Sequence, residues 1–278
     1  MTTIKDFIKE RPLLIYFTLA FIISWGVIFI LAGPNGIPIA ADQAVMLGMA
    51  LLLGPSVASI LLTALTSGRN GFRKLFSHLL MWRVGARWYA VALLTAPLST
   101  LIVLLVLSLF SPVFSPSILI SDEKASLISM GFVAGLMVGF FEELGWTGFA
   151  IPKMKLRYSV FATGLIVGLL WGAWHFIMFW ENDSFSGVLP LAILLARLFT
   201  WLPAYRILMV WVYDRTESLL IVMLMHVSLV ATLIILEPPL KGGELLTFIL
   251  VKATMLWVIA AVFVAAPRGQ SEEISRDR

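Results

Sequence analysis

Met137-Val-Gly-Phe-Phe-Glu-Glu-Leu-Gly-Trp-Thr-Gly-Phe149 places two adjacent carboxylates, Glu142 and Glu143, near the end of a long apolar run. A charged side chain at membrane depth costs about 2.5–3.5 kcal/mol on the insertion scale, and such residues persist where they face a protein interior and serve a function. One glutamate near a span end is accounted for by a side chain that reaches the interface; two side by side are not. The rest of the chain therefore reads as scaffolding around this pair.

Of the 278 residues, 60% are hydrophobic and only 13% charged, with a mean hydropathy of +0.98. Soluble domains lie nearer about 45–50% apolar and 25% charged. The composition thus predicts an all-α, multispanning membrane protein, with residues 1–278 forming a single integral membrane domain. Apolar runs at 12–32, 44–66, 88–112, 126–149, 160–180, 188–213, 218–236 and 245–266 give eight helical spans. These runs are too long for barrel strands, which need only about 10 alternating residues. Pro190 and Pro203 are expected to bend the sixth span. The first run follows Lys5, Lys9 and Arg11 and reads as a retained span rather than a removed leader. With no cysteine, disulfides and thiolate metal sites are excluded. The net charge of +4 is no nucleic-acid signature, since the basic residues lie between apolar runs, where they set topology; the expected partner is the lipid bilayer.

Placing the N-terminus inside puts Lys5, Lys9, Arg11, Arg69, Arg73, Lys74, Arg83, Arg87, Lys153, Lys155, Arg157, Arg215, Arg268, Arg276 and Arg278 on the cytoplasmic side, against Lys124 and Lys241 outside. That asymmetry predicts cytoplasmic termini. In the one sizeable inner loop, 67–87, Phe72, Leu75, Phe76 and Leu79 recur at helical spacing among basic residues. This predicts an amphipathic helix on the inner leaflet, attracted by anionic lipid, with a peptide-docking surface as the alternative. His78, in this loop, is assigned no chemistry. Residues 267–278 read as a short polar disordered tail.

Two of the three histidines, His175 and His226, lie inside spans. A lone histidine on an apolar helix is usually a packing residue. Two of them, beside a span with two carboxylates, are most cheaply satisfied by one another. Glu142, Glu143, His175 and His226 are therefore expected to converge on one partly hydrated cavity. Adjacent helical residues differ by about 100°, so the two glutamates cannot point at one spot; Glu142 shares a face with Trp146 and Glu143 with Thr147. Trp171 stands one turn before His175 and can wall its imidazole. Gly145, Gly148, Gly168 and Gly172 permit close backbone approach. One tension remains: measured from the inner loop, Glu142 lies about 15 Å up its span and His175 roughly 27 Å up the next, if that helix starts near Arg157.

The pair Glu142-Glu143 followed by Gly-Trp-x-Gly-Phe, an aromatic four residues before His175, and His226 in a later span resemble the CAAX prenyl protease and bacteriocin-processing (CPBP, Abi) family. Gly54-Pro55-Ser56, Ser67-Gly68-Arg69, Phe72-Arg73-Lys74-Leu75 and Met81-Trp82-Arg83 agree, so the resemblance covers about residues 50–235. It implies an eight-helix intramembrane endopeptidase, multi-pass in the cytoplasmic membrane of a bacterium. The implied substrate is a peptide or lipidated peptide presented from the cytoplasmic leaflet; some relatives serve bacteriocin immunity. It further implies Glu142 as the base that activates a water, His175 and His226 in the catalytic constellation, and Glu143 in support.

Two positions depart from the family pattern. Thr147 stands where arginine is usual, leaving Arg197 or Arg206 to neutralise Glu143. Val230 stands where an asparagine would stabilise the oxyanion, a role worth about 2.7–4 kcal/mol per donor; Ser228, Thr232 or His226 are candidate substitutes. A metal-free mechanism is expected. The alternative is a zinc site built from Glu142, His175 and His226 with an open fourth position. Rival readings are a proton-coupled transporter, although no inverted repeat is visible, and a non-catalytic immunity or scaffold protein that keeps the fold.

Overall fold

The structure is a computed structural model and describes residues 4–32 and 44–265; the expected polar tail, 267–278, lies outside them. Among the described residues all regular structure is helical. The main elements are α1 (Pro12–Ala32), α2 (Leu53–Thr66, continuing a short helix at Ala44–Leu51), α3 (Gly68–Leu79), α4 (Ala86–Ser108) and α5 (Lys124–Gly145). They are followed by α6 (Val160–Trp174), α7 (Val188–Phe199), α8 (Trp201–Thr216), α9 (Leu219–Leu236) and α10 (Gly242–Ala265). Seven helical stretches are long and apolar enough to cross a membrane, and the chain is a multi-pass membrane protein.

The fifth of the eight expected spans, 160–180, takes a different form. α6 starts at Val160, where the Ser159 hydroxyl accepts a hydrogen bond from the Ala162 amide at 3.2 Å, and stops at Trp174. At His175 the ring Nδ1 lies 2.8 Å from the Trp171 carbonyl, and a short helix, Phe176–Phe179, resumes beyond. The span is thus a helix broken at its imidazole. The sixth span also breaks, but not at its prolines. The interruption falls at Thr200, whose hydroxyl donates back to the Ala196 carbonyl at 2.6 Å. Pro203 then sits in the first turn of α8, where a missing N–H leaves no helical bond unmade.

Two glycine stripes fix the packing that matters for the site. Gly131, Gly135 and Gly139 face α9 antiparallel to α5; a Cβ on Gly135 would lie 2.7 Å from the Val227 carbonyl oxygen. Gly164, Gly168 and Gly172 do the same for α6 against α7 and α8, with a Cβ on Gly168 falling 2.5 Å from Pro203 Cα. Only glycine allows these approaches, as in small-xxx-small membrane interfaces. The first stripe brings α5 to His226; the second brings Trp171 to Arg206.

α3 is the helix expected in the inner loop. Leu75 alone among its apolar residues is fully buried, and Phe76 is exposed with Arg73 and Lys74. It turns off α2 through Gly68 in a left-handed conformation (φ 54°).

Candidate functional site

α5 carries Glu142 and Glu143 to its C-terminal end, where a π-helical turn, Trp146–Ala150, interrupts the regular ladder before a last turn at Ile151–Met154. Serines of α2 bind carbonyls around the pair: Ser56 donates to Phe141 O at 2.5 Å and Ser59 to Leu144 O at 2.8 Å. The segment is thereby held from one side while its carboxylates point to the other.

The two glutamates have unequal surroundings. Glu143 is wholly buried. Its oxygens accept from Arg206 Nη1 at 2.9 Å each, from His226 Nδ1 at 2.7 Å, and from the Thr147 hydroxyl. Glu142, 2% exposed, takes one hydrogen bond, from Trp171 Nε1 at 2.6 Å. Its second oxygen has no partner among the described residues.

Trp171 is the hub. Its indole lies edge-to-face with His175 (5.2 Å between centroids) and with His226 (5.3 Å), and the Arg206 guanidinium carbon sits 4.1 Å from its ring centroid. His175 is further enclosed by Trp174 at 4.9 Å and Phe179 at 5.8 Å. With Nδ1 donating to the Trp171 carbonyl, Nε2 is its remaining nitrogen for chemistry; with Nδ1 on Glu143, the same holds for His226. Side chains of α5, α6, α8 and α9 thus meet: Glu142, His175 and His226 contact Trp171, and Glu143 joins them through Arg206 and His226. Trp146 backs the group without joining it, packed against Tyr16, Phe17 and Trp174.

The depth tension disappears because α5 and its continuation run twelve residues from Glu142 to Met154, and α6 climbs eleven from Val160 to Trp171. Helical side chains lean toward the N-terminus, so the His175 ring hangs back toward Glu142.

Several expectations need correction. Arg197 does not reach Glu143: it bonds Glu181 at 2.6 Å near the opposite end of the bundle, and Arg206 takes the role because the second glycine stripe presses α8 onto α6. Ser228 and Thr232 are committed elsewhere, to Leu93 O at 2.8 Å and Ser228 O at 2.7 Å. Val230, half-buried one turn beyond His226, has no polar atom to offer. An open wet cavity at the glutamates is not what forms. Three cavities stand out among the described residues, and none is lined by Glu142, Glu143, His175 or His226; Trp146, Trp171, Trp174 and Arg206 fill that space instead. Unmatched buried donors nonetheless ring the site: Arg206 Nε and Nη2, Tyr16 Oη, Trp146 Nε1 and Trp174 Nε1. Tyr16 and Trp174 carried no sequence signal, being an ordinary tyrosine and tryptophan in apolar runs.

Residues 124–232 match a family model described as type II CAAX prenyl endopeptidase Rce1-like. Over that stretch, about two fifths of its length, the chain is similar to the Rce1-like family. The CAAX prenyl protease 2 of Methanococcus maripaludis is similar to it, 39% identical over 51 residues that make up 18% of this chain and 19% of that protein. The match spans about a fifth of that relative's length. In this chain, Thr147 and Arg206 together satisfy the Glu143 carboxylate. Among the described residues no group of three His, Asp or Glu side chains is placed to hold a metal ion.

Proposed function

We propose that the chain is a membrane-embedded peptidase that hydrolyses an amide with water activated by Glu142, without a metal. The observation that carries this reading is the unequal partnering of the two carboxylates. Glu143 is neutralised and fully bonded, so it serves as a structural anchor that orients His226. Glu142 is steered by one indole N–H and keeps an oxygen free, as a general base requires. In the proposed cycle Glu142 takes a proton from water as the oxygen bonds to the carbonyl carbon. The C–N bond then breaks and the departing amine takes the same proton. Nε2 of His175 and of His226 orient the water and the carbonyl, and unmatched donors such as Arg206 Nη2 are available to peptide oxygens.

The substrate is proposed to be a peptide or lipidated peptide entering from the cytoplasmic leaflet, the side to which the charge asymmetry assigns the lower end of α5. An apolar cavity of about 360 Å³, lined by Trp82, Leu136, Phe140, Met223 and Val227, opens between α5 and α9 and suits its hydrophobic part.

The test is cleavage of a quenched lipidated or leader peptide by purified protein. Glu142→Gln is expected to lose about 10²–10⁴-fold in rate with stability unchanged; equal cleavage removes the assignment. Treatment with a chelator is expected to leave cleavage intact, and loss restored by zinc overturns the metal-free version. One observation favours a non-catalytic scaffold instead, the lack of a donor at Val230, Ser228 and Thr232. No cleavage of any peptide by the intact protein would support it.

A further inference from the structure

Four cations of this bundle are matched with acids: Arg206 with Glu143, Arg197 with Glu181, Lys252 with Glu237 at 2.5 Å, and Lys155 with Asp214 at 2.5 Å. Lys74 and Lys153 are not. They line one cavity of about 250 Å³ at the basic end of the bundle, together with Thr63, Ser67, His78 and Tyr213. Lys153 is half-buried, its Nζ held 3.6 Å from the Phe149 ring centroid. No carboxylate among the described residues bridges either lysine. Two ammonium groups lining one cavity repel unless a counter-ion joins them. Hydroxyls of Thr63, Ser67 and Tyr213 and the His78 ring, whose Nδ1 is 2.7 Å from the Glu217 carbonyl, supply further polar contacts.

We infer that this cavity is a binding site for a phosphate-bearing anion, of the kind presented by an anionic lipid head group or a free phosphate ester. Its position favours that class. Arg69, Arg73, Arg83, Arg87 and Arg157 surround the same end of the bundle, at the level where lipid phosphates lie beside a basic membrane-proximal surface. The stretches Ser67-Gly68-Arg69 and Phe72-Arg73-Lys74-Leu75, which peptide hydrolysis leaves without a task, supply Ser67 and Lys74. The site is separate from the glutamates: Leu75 packs with Leu144, Leu219 and Met223 between them. It is also coupled to them, because a Cβ on Gly148 in the π turn would touch Leu75 Cδ1 at 2.7 Å. An anion that joins Lys74 on α3 to Lys153 beyond that turn clamps the amphipathic helix onto the segment carrying Glu142.

The test uses the full chain in phosphatidylcholine nanodiscs with and without a minor fraction of phosphatidate, reading retained lipid by native mass spectrometry. A parallel arm reads thermal shift against inorganic phosphate in neutral nanodiscs. Lys74→Gln and Lys153→Gln are expected to weaken binding by about tenfold or more, whereas Arg157→Gln, an exposed cation outside the cavity, loses no more than the about fivefold that one surface charge contributes. Dependence on the two lysines in the lipid arm alone assigns a head group; the same dependence in the phosphate arm assigns a soluble ester. Equal losses in all three variants, or no binding by the unsubstituted chain, overturn the inference. Both arms are repeated on Glu142→Gln, so the result is independent of peptide cleavage.

Discussion

Replacing Arg206 by methionine removes the guanidinium from a pair in which both side chains are wholly inaccessible. Nη1 lies 2.9 Å from each Glu143 oxygen, and no water can take its place without opening the core. The carboxylate would keep Thr147 and His226 but lose its fixed positive charge. Breaking a buried pair from one side costs about 3–5 kcal/mol, and lost contact of the guanidinium with the Trp171 face adds about 1 kcal/mol. Reversible unfolding in mixed micelles should therefore show Arg206→Met destabilised by about 4–6 kcal/mol. Glu143→Gln added to it should recover most of that, because an amide still bonds Thr147 and His226 and no charge is stranded. A loss below about 1 kcal/mol, the value of an exposed pair, or a double variant no better than the single one, would refute the claim that Glu143 is a buried anion held by Arg206.

Trp171→Phe keeps a ring between the two imidazoles but deletes the donor to Glu142; a hydrogen bond to a charged group is worth about 1.5–3 kcal/mol, so kcat for peptide cleavage should fall about 10- to 100-fold with KM little changed. Unaltered kcat would mean that the indole N–H does not steer the base. Orientation is checkable because the chain has no cysteine: a single cysteine at exposed Ser77 should react only from the cytoplasmic side and one at exposed Ser186 only from the opposite side. The reverse pattern would overturn the reading of the charges.

The sequence made the glutamate helix, the amphipathic α3 and the convergence of the four titratable residues legible, because each rests on a local cost. Apolar length demands a span, and an acid in that span demands a partner. What it left undecided depended on rotation and register between helices. Arg197 and Arg206 are both arginines in one apolar run; only the close approach allowed by Gly164, Gly168 and Gly172 aims the second at Glu143 and leaves the first near Glu181. The closure of the site was hidden for a similar reason. Whether polar side chains in a membrane enclose water or are walled by tryptophans depends on how indoles from two helices mesh, and composition does not encode that. The break at His175 was hinted at only by the mismatch in depth between the two spans.

The wide turn at Trp146–Ala150 gives this one helix two bearings. One extra residue in a turn swings all that follows by about 100° around the axis. Glu143 can thus look toward Arg206 and His226 while Lys153, from the same rod, looks toward the amphipathic helix. A shortened segment lacking a single residue there would still thread the bilayer as an unbroken rod, yet its lower end would face elsewhere. This stretch should consequently accept changes of side chain far more readily than changes of length.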